Sequence, residues 1–322
     1  MQAFTFNVLD VDRFATREMY GKVLVEIGRE NPDIVVLSAD MMRSNKTGDF
    51  AKAIPERFFN FGIAEQNMFG VAAGFAINGK IPYASTFAAF ASMRCAEQLR
   101  TDIAYPNLKV RIVASHSGLS MGNGGTTHHA TEDIAITRSM ANMTVIVPAD
   151  ANECAKAVYA SVDYPGPIYM RIGRGAEPIV YKQDYDFAIG KAVTVREGND
   201  VTVIACGIMV MAAIKAARKL AEEGIETRVI DMHTIKPLDE EAVLKAARET
   251  GILITAEEHS IIGGLGGAVA EVLAEAGLPV KFSRIGLPDV YSTIGPPDDL
   301  YARYGLDAEG IYKKVKEMLG KK

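Results

Sequence analysis

RFFNFGIAEQNMFGVAAGFAING, residues Arg57 to Gly79, is the stretch that decides the fold of this chain. Its aromatic run Phe58–Phe61 predicts a short strand, Gly62 ends the strand, and an apolar helix rich in Ala and Gly follows. This order is the repeating unit of a parallel α/β sheet. Glu65 lies in the first turn of the helix, at the carboxyl end of the strand, where open α/β sheets place their ligands. A carboxylate at this position can also simply complement the helix dipole.

Helix and strand patterns alternate on both sides of this stretch. Short, wholly apolar strands are typical of the interior of a parallel sheet, which is covered on both faces. In the N-terminal part the predicted strands are Ile34–Leu37, Phe58–Phe61, Ile81–Thr86, Lys109–Ser115, Met143–Pro148 and Pro167–Gly173. Helical patterns separate these six strands, so we predict an α/β fold with a doubly wound, mostly parallel sheet.

A polar, turn-rich segment from Arg174 to Asn199 interrupts this alternation. Four further strands are then predicted, at Val201–Cys206, Thr227–Met232, Ile252–Ala256 and Val280–Ile285. The length of 322 residues is sufficient for two domains with separate cores. We therefore predict a first domain over residues 1–180, a linker over 181–199 and a smaller α/β domain over 200–322.

The composition excludes several classes of protein. The chain is 48% hydrophobic and 23% charged, and its net charge of −5 with no basic stripe argues against a nucleic-acid partner. No apolar run approaches the roughly 20 residues that a membrane span needs. Cys95, Cys154 and Cys206 are odd in number and far apart, which indicates buried thiols in a reducing compartment. The N-terminus lacks a signal-peptide layout, so we expect a cytoplasmic protein with no membrane partner.

The loop from Ser115 to Thr131, SHSGLSMGNGGTTHHAT, is the longest irregular stretch. Loops of this length inside a compact domain are usually functional or disordered. Its glycines allow the backbone to approach a ligand closely. Its histidines, His116, His128 and His129, predict hydrogen bonds to an oxygen-rich substrate. A metal site formed by His128 and His129 with Glu132 and Asp133 is the alternative, but the ligand spacing matches no regular coordination shell.

Two other motifs admit more than one interpretation. Phe87 and Phe90, in the sequence STFAAF, lie three residues apart and would share one face of a helix. Such a pair can pack in the core or stack against a flat heteroaromatic ring. The run Gly263–Gly267 opens a later helix, but its G-G-x-G-G spacing differs from the dinucleotide fingerprint and predicts tight helix packing.

Taken in order, these blocks resemble the C-terminal half of transketolase. The blocks are SAD…RSN, FFNFGIAEQN, STFAAF, VASHSGL…TTHH, VIVPAD and YMRIGR. The resemblance covers essentially the full chain and implies a pyrimidine-binding domain followed by the transketolase C-terminal domain. The same half also resembles deoxyxylulose-phosphate synthase and the β subunits of 2-oxo acid dehydrogenases, which are therefore alternatives.

The resemblance implies a thiamin diphosphate enzyme. Glu65 would match the glutamate whose carboxyl hydrogen-bonds N1′ of the aminopyrimidine and favours the imino tautomer that activates the thiazolium ring. That carboxyl would hold or share a proton, which burial beside apolar walls encourages. Phe90 would match the aromatic residue that stacks on the pyrimidine, and Phe87 would line the same pocket. Asp40 would match a cofactor-proximal aspartate at a dimer interface.

The resemblance also implies that the substrates are sugar phosphates. His116 and His128 have the spacing of two substrate-contacting histidines in transketolase. Arg17, Ser44, His116 and Arg171 would match the set that grips the phosphate. Their chemistry agrees with this role, because two fixed cations and two short donors suit a phosphate dianion.

Two positions depart from the transketolase pattern. Gly124 stands where an aspartate usually contacts the C2 hydroxyl of the substrate, and Met93 stands where a pocket tyrosine is common. The first departure predicts a different stereochemical preference or donor range. The second predicts a more apolar, less specific pocket wall.

The GDG…N motif that binds Mg²⁺ (or Ca²⁺) and the diphosphate in this family is not found in the sequence. A diphosphate needs a hard cation with oxygen ligands. The resemblance therefore implies a separate N-terminal subunit that carries this motif, so that the chain would be one half of a split transketolase of the pentose phosphate pathway. The helix surface formed by Gly70, Gly74 and neighbouring alanines would suit a subunit interface or an internal helix crossing. Family architecture implies an α₂β₂ assembly.

Such an enzyme would transfer a two-carbon ketol unit between phosphorylated sugars and would be inactive without its partner. A non-catalytic scaffold is the remaining alternative. The presence of the glutamate, both histidines and both arginines argues against it.

Overall fold

Two mostly parallel sheets organise the chain, and the computed structural model describes them over residues 11–321. The strands are β1 (Arg13–Phe14), β2 (Ile34–Ser38), β3 (Phe58–Asn60), β4 (Ile81–Phe87), β5 (Arg111–Ser115), β6 (Thr144–Ile146), β7 (Ile168–Arg171), β8 (Glu177–Pro178), β9 (Val193–Arg196), β10 (Val201–Ala205), β11 (Thr227–Asp231), β12 (Thr234–Lys236), β13 (Ile252–Ser260) and β14 (Lys281–Leu287). The N-terminal residues on which the expected absence of a signal peptide depends lie mostly outside the described range.

The helices alternate with these strands. They are α1 (Thr16–Glu30), α2 (Gly48–Ala53), α3 (Glu65–Ile77), α4 (Asp133–Arg138), α5 (Ala151–Asp163), α6 (Met209–Ala221), α7 (Glu240–Thr250), α8 (Leu265–Glu275), α9 (Pro297–Tyr304) and α10 (Ala308–Met318). Two π-helical segments, Phe90–Arg94 and Gln98–Ala104, follow β4. Within residues 11–321, no helix combines the length and apolarity that crossing a bilayer requires.

The first sheet has the strand order β12-β6-β7-β5-β4-β2-β3 and is parallel except at β12. Its six parallel strands are those that the sequence predicts, so the doubly wound α/β fold is confirmed. Alternate residues of β2 show how both faces are covered. Ile34 and Val36 belong to the core shared with α1 and α5, whereas Val35 and Leu37 belong to the core shared with α3.

The second sheet has the order β14-β13-β10-β11-β9 and is parallel except at β9. β13 extends to Ser260, four residues beyond the predicted end, and the extension carries three buried titratable residues, Glu257, Glu258 and His259. The glycine run packs tightly, as predicted. A Cβ added to Gly264 would lie 2.0 Å from Glu257 Oε2.

The sequence does not predict β1, β8, β9 and β12, and two of these four strands, β9 and β12, join the edges of the two large sheets. β12 follows the predicted linker in the chain, yet it forms an edge of the first sheet by pairing antiparallel with β6. β9 lies inside the predicted linker and pairs antiparallel with β11. They contain only three and four residues, so neither produces a recognisable apolar run. Cys95, Cys154 and Cys206 are buried free thiols, which confirms that part of the prediction.

β1 and β8 form a separate two-stranded sheet, in which Glu177 is buried. Burial raises the pKa of the Glu177 carboxyl to about 8. Hydrogen bonds from Thr16 oppose this shift, whereas the nearby negative charges of Glu258 and Asp150 add to it. The folded chain therefore keeps a proton that the unfolded chain releases above the ordinary glutamate pKa. The contribution of Glu177 to the free energy of unfolding therefore falls as the pH rises from about 4.5 towards 8.

Replacing Glu177 with Gln removes this ionisable group but keeps its shape. We expect Glu177→Gln to gain stability relative to the wild type as the pH rises from 5 to 8, by on the order of 1 kcal/mol per pH unit. Thermal unfolding of both proteins at three pH values in that range measures the difference. A difference that does not change with pH would contradict the predicted titration.

Candidate active site

Glu65 begins α3, and its carboxylate is buried, with 2% of the residue exposed. Gly62, with a φ of 68°, reverses the chain between β3 and the helix. Glu65 Oε2 forms a salt bridge with Arg94 Nη1 at 2.8 Å. Glu65 Oε1 is buried and has no hydrogen-bond partner among the described residues. Because an unsatisfied buried oxygen costs roughly 1–3 kcal/mol, this atom is suited to a ligand donor. Dipole complementation alone does not require such burial.

Arg94 is a site residue that the sequence analysis missed. It ends the π-helical segment Phe90–Arg94, and its guanidinium Cζ lies 4.2 Å from the centre of the Phe90 ring. Single π-helical turns often occur at functional sites. No signal in the sequence connects Arg94 with Glu65, because the contact depends on how the turn after β4 packs against α3.

Four rings form what we call the aromatic wall: Phe87, Phe90, His116 and His128. The ring centres of Phe87 and His116 are 4.1 Å apart, those of Phe87 and Phe90 are 5.6 Å apart, and those of Phe90 and His128 are 5.3 Å apart. Phe87 is the last residue of β4 rather than part of a helix, so the expected helical face is wrong although the two phenylalanines do meet. The wall continues from the Glu65–Arg94 pair to the histidine-containing loop.

His116 follows β5 and is buried. Its Nδ1 lies 2.7 Å from Ser115 Oγ, which donates to Asn45 Oδ1 at 2.7 Å. Burial, together with the nearby charges of Arg17 and Arg174, lowers the pKa of the His116 imidazole to about 3. The ring is therefore neutral at physiological pH and can only donate or accept hydrogen bonds.

The other two histidines of the loop differ in their surroundings. His128 is half-buried, and its Nδ1 lies 2.9 Å from the hydroxyl of Thr127. His129 is buried, and its Nε2–H donates to the carbonyl of Gly122 at 2.9 Å. His129 thus stabilises the loop from inside, whereas His116 and His128 belong to the aromatic wall.

The predicted phosphate set is brought together only in part. Arg17 donates from Nη1 to the carbonyl of Ser44 at 2.8 Å and from Nε to the carbonyl of Arg174 at 2.7 Å. The charges of Arg17 and Arg174 both act on His116. Arg17, Ser44 and His116 are therefore neighbours, and the second arginine beside them is Arg174.

The structure places Arg171 elsewhere, in contrast to its predicted role in phosphate binding. It is the last residue of β7 and is 4% exposed. Its Nε donates to Asp133 Oδ2 at 3.0 Å, and its Nη2 donates to the carbonyl of Glu258 at 2.8 Å. Its guanidinium is engaged by buried acceptors. Arg174 is exposed beyond the end of β7, and this position at the carboxyl edge of the sheet is the signal that distinguishes it.

Asp133 was also one of the acidic residues of the alternative metal site. It accepts hydrogen bonds from Arg171 and, at 2.9 Å, from the hydroxyl of Tyr169. Among the residues that the structure describes, no group of three His, Cys, Asp or Glu side chains is arranged to hold a metal ion.

Asp40 is exposed at the carboxyl end of β2, with a φ of 59°. Its backbone N–H donates to Asn60 Oδ1 at 2.9 Å, and the same oxygen accepts from the backbone N–H of Gly62 at 3.2 Å. Asn60 therefore connects Asp40 to the turn that precedes Glu65. The sequence analysis did not identify Asn60.

The two departures from the family pattern both lie near the aromatic wall. Met93 is 45% exposed within the π-helical segment. A Cβ added to Gly124 would lie 2.6 Å from Met121 Cγ and 3.1 Å from His128 Cβ. An aspartate at position 124 would thus require Met121 to move, which gives a steric reason for the glycine.

The remaining glycines of the loop approach protein rather than open space for a ligand. Gly118, Gly122 and Gly125 all have positive φ values. A Cβ added to them would lie 2.3 Å from Glu258 Cδ, 2.8 Å from the carbonyl of Gly295 and 3.0 Å from a side-chain carbon of Ile294, respectively. The sequence analysis expected these glycines to allow the backbone to approach a ligand. The structure instead shows that they allow the loop to lie against the second domain.

Comparison with known proteins agrees with this architecture. Residues 12–178 match the pyrimidine binding domain of transketolase, and residues 190–311 match the transketolase C-terminal domain. A protein of Methanocaldococcus jannaschii described as a transketolase C-terminal section is 46% identical over 95% of this chain and 96% of its own length. One of the subunits of the apulose-4-phosphate transketolase of Phocaeicola vulgatus is 44% identical over 95% of this chain and 98% of its own length.

A solved structure described as a split gene transketolase in an inactive beta4 tetramer is also similar. It has a TM-score of 0.87 and 50% sequence identity, covering 95% of this chain and 98% of that chain. The similarity therefore extends over nearly the full length of both chains.

The contrast between the two arginines can be tested by stability. We expect Arg171→Met to lower the free energy of unfolding by about 3–5 kcal/mol, because Asp133 and Glu258 would remain buried without their cation. The matched variant Arg174→Met should change it by less than about 0.5 kcal/mol, because Arg174 is exposed. Chemical denaturation measures both values, and equal effects would contradict the assignment of Arg171 to the interior.

The neutral state of the buried His116 imidazole can also be tested. We expect the ring resonances of His116 to stay at their neutral values from pH 8 to pH 5, because the pKa of its imidazole is lowered to about 3. Nuclear magnetic resonance of histidine-labelled protein, assigned with His116→Gln, measures this. A titration midpoint near 6.5 would show that the ring is not desolvated as the structure indicates.

Proposed function

The chain belongs to the transketolase family, and from that premise we propose that it is the pyrimidine-binding subunit of a two-chain transketolase. The reaction would be the transfer of a two-carbon ketol unit between phosphorylated sugars. The full-length similarity to chains described as a transketolase C-terminal section and as one subunit of a transketolase supports this interpretation over a 2-oxo acid dehydrogenase. The observation that carries the proposal is the buried Glu65 carboxylate with one free oxygen beside the aromatic wall.

The residues of this site fit the aminopyrimidine ring of thiamin diphosphate. Glu65 Oε1 is free to form a hydrogen bond with a ring nitrogen, because Arg94 engages only Oε2. Phe90 offers an aromatic surface for stacking, and Phe87 closes the same side of the site. When bound, the cofactor supplies the electron sink for the reaction.

Within this chain, Glu65 would hold its position and share a proton at Oε1. The guanidinium of Arg94 holds Oε2, so that Oε1 is the carboxylate oxygen that would face the ring nitrogen. This differs from the expectation that apolar walls alone surround the carboxyl. The phenylalanines of the aromatic wall would orient the ring and exclude water from Glu65. Asp40, linked through Asn60 to the turn before Glu65, would lie at the edge of the same site.

The substrate end of the site would be formed by Arg17, Arg174, Ser44 and His116. The two guanidinium groups supply the charge that a phosphate dianion needs. His116 is neutral and adds a hydrogen bond without adding charge. His128, whose ring lies against both Phe87 and Phe90, would hydrogen-bond a sugar oxygen between the phosphate and the cofactor.

We propose that the sugars differ from those of transketolases with an aspartate in place of Gly124. The packing of Met121 and His128 around Gly124 supports this proposal, since no polar side chain reaches the substrate from that position. The relative from Phocaeicola vulgatus is described as acting on apulose 4-phosphate, so substrate variation occurs among similar chains. A place in the pentose phosphate pathway and a cytoplasmic location remain our predictions.

The diphosphate and its cation, Mg²⁺ or Ca²⁺, would be held by an N-terminal subunit with the GDG…N motif. Self-association is supported by α3, where a Cβ added to Gly74 would meet nothing within 4 Å and one added to Gly70 would meet only Asp102, at 3.9 Å. Ile63, two residues before this helix, and Ile77, its last residue, are 81% and 71% exposed. An apolar, smooth surface of this kind suits a helix from a second copy, within an α₂β₂ assembly.

The proposed role of Glu65 predicts a large loss of activity in Glu65→Gln. We expect the turnover of the reconstituted two-chain enzyme to fall by roughly 10²–10⁴-fold, because the amide cannot share a proton with the ring. The assay combines this chain, its N-terminal partner, thiamin diphosphate, Mg²⁺, xylulose 5-phosphate and an aldose phosphate acceptor.

Glu97 lies between the two π-helical segments and is exposed, so it provides the matched control. Glu97→Gln should retain full activity. Wild-type turnover in Glu65→Gln would disprove the role of Glu65. Turnover of pyruvate with an artificial electron acceptor, in place of ketol transfer, would instead support the dehydrogenase alternative.

A further inference from the structure

The loop that carries His116 and His128, residues 115–131, rests on the second domain, and we call it the histidine loop. Its two ends are joined to each other, since the backbone N–H of Gly118 donates to the carbonyl of Ala130 at 3.0 Å. Both ends also contact β13 of the second domain. The backbone N–H of Ser260 donates to the carbonyl of Thr131 at 2.8 Å.

Glu258 of β13 is at the centre of this contact and is buried. Its Oε1 accepts hydrogen bonds from the backbone N–H of Leu119 at 2.8 Å and from the hydroxyl of Tyr301 at 2.7 Å. Its Oε2 faces Arg171 Nη1 at 3.5 Å. The two oxygens therefore have different partners, one in the histidine loop and one in the sheet below it.

Arg171 connects the same carboxylate to the other end of the loop. Its Nη2 donates to the carbonyl of Ala130 at 3.2 Å as well as to the carbonyl of Glu258. Glu258 and Arg171 together hold Leu119, which lies three residues after His116, and Ala130, which lies two residues after His128. Gly118 permits this approach, because any side chain there would occupy the position of the Glu258 carboxyl.

We propose that Glu258 is a positioning residue for the substrate histidines, and that the second domain contributes to the active site by bracing the histidine loop through this carboxylate. The expected effect on KM rests on the proposed function, whereas the contact between Glu258 and the histidine loop does not. Without the Oε1 bond, the loop loses its fixed anchor between His116 and His128. A displacement of about 1 Å in the histidines would then weaken contacts with the sugar by roughly 10- to 100-fold.

A purely structural role for Glu258 would predict only lost stability, and the neighbouring Glu257 provides the means to distinguish the two. Glu257 is also buried in β13 and projects to the opposite face, where its carboxylate accepts from the backbone N–H groups of Leu265 at 2.7 Å and Gly266 at 2.8 Å. These contacts lie within the second domain and are far from the histidine loop in the chain. Glu257 thus has the same chemistry and burial without the contact to the loop.

The test compares Glu258→Gln with Glu257→Gln in the reconstituted enzyme. An amide has one oxygen, so glutamine at position 258 cannot accept from Leu119 and also face Arg171 with an oxygen. We expect Glu258→Gln to raise the KM for the sugar phosphate donor by roughly 10-fold or more, with the Kd for thiamin diphosphate unchanged. Glu257→Gln should lower the thermal midpoint while leaving this KM at the wild-type value.

Hydrogen exchange of the isolated chain gives a readout that does not depend on activity. We expect faster amide exchange across residues 115–131 in Glu258→Gln, and wild-type exchange there in Glu257→Gln. Equal KM values in the two variants, or unchanged exchange of the loop in Glu258→Gln, would overturn the inference. If the wild-type pair of subunits shows no ketol transfer, the proposed function fails, and the exchange comparison then decides the role of Glu258.

Discussion

The burial of a single guanidinium, that of Arg171, is the constraint on which the arrangement of the two domains depends. A cation inside a protein is tolerated only when acceptors and opposite charge surround it. The first domain supplies Asp133 from α4, and the second domain supplies Glu258 from β13. Because neither carboxylate alone satisfies all the donors of Arg171, the two sheets have to meet at this point. The histidine loop lies directly over it, so the same charges that join the domains also support the site.

The site itself follows from the strand order of the first sheet. Reading from β7 through β5, β4 and β2 to β3, the carboxyl ends lead into Arg174, His116, Phe87, Asp40 and Glu65 in turn. Parallel strands bring all their carboxyl ends to one edge, where polar side chains need not be buried in the sheet. The edge therefore runs from a cationic end suited to phosphate, across the aromatic wall, to a carboxylate suited to a pyrimidine. The linear order of the proposed functions is a direct consequence of the topology.

The sequence was sufficient for these features because each depends on local pattern. Apolar runs located the six parallel strands, and the strand–turn–helix order placed Glu65 in the first turn of α3. The sequence alone was insufficient where a contact joins segments that lie far apart in the chain. Arg94 meets Glu65 only after the π-helical turn has formed, and β12 becomes a strand only because β6 offers an unpaired edge. The proposal of Arg174 in place of Arg171 has the same origin, since a motif shows that an arginine is present but not whether its side chain is buried.

At the proposed phosphate end, one neutral histidine, His116, lies beside the fixed cations of Arg17 and Arg174. Burial keeps His116 unprotonated, and the charges of Arg17 and Arg174, the groups proposed to attract a dianion, act in the same direction. The bond between His116 Nδ1 and Ser115 Oγ, continued to Asn45, orients the ring and leaves Nε2 available on the other side. A neutral ring in a fixed orientation can contact phosphate or hydroxyl oxygens without competing with the arginines for charge. Binding strength can thus be set by the guanidinium groups, while the geometry of the sugar is set by the loop that the second domain supports.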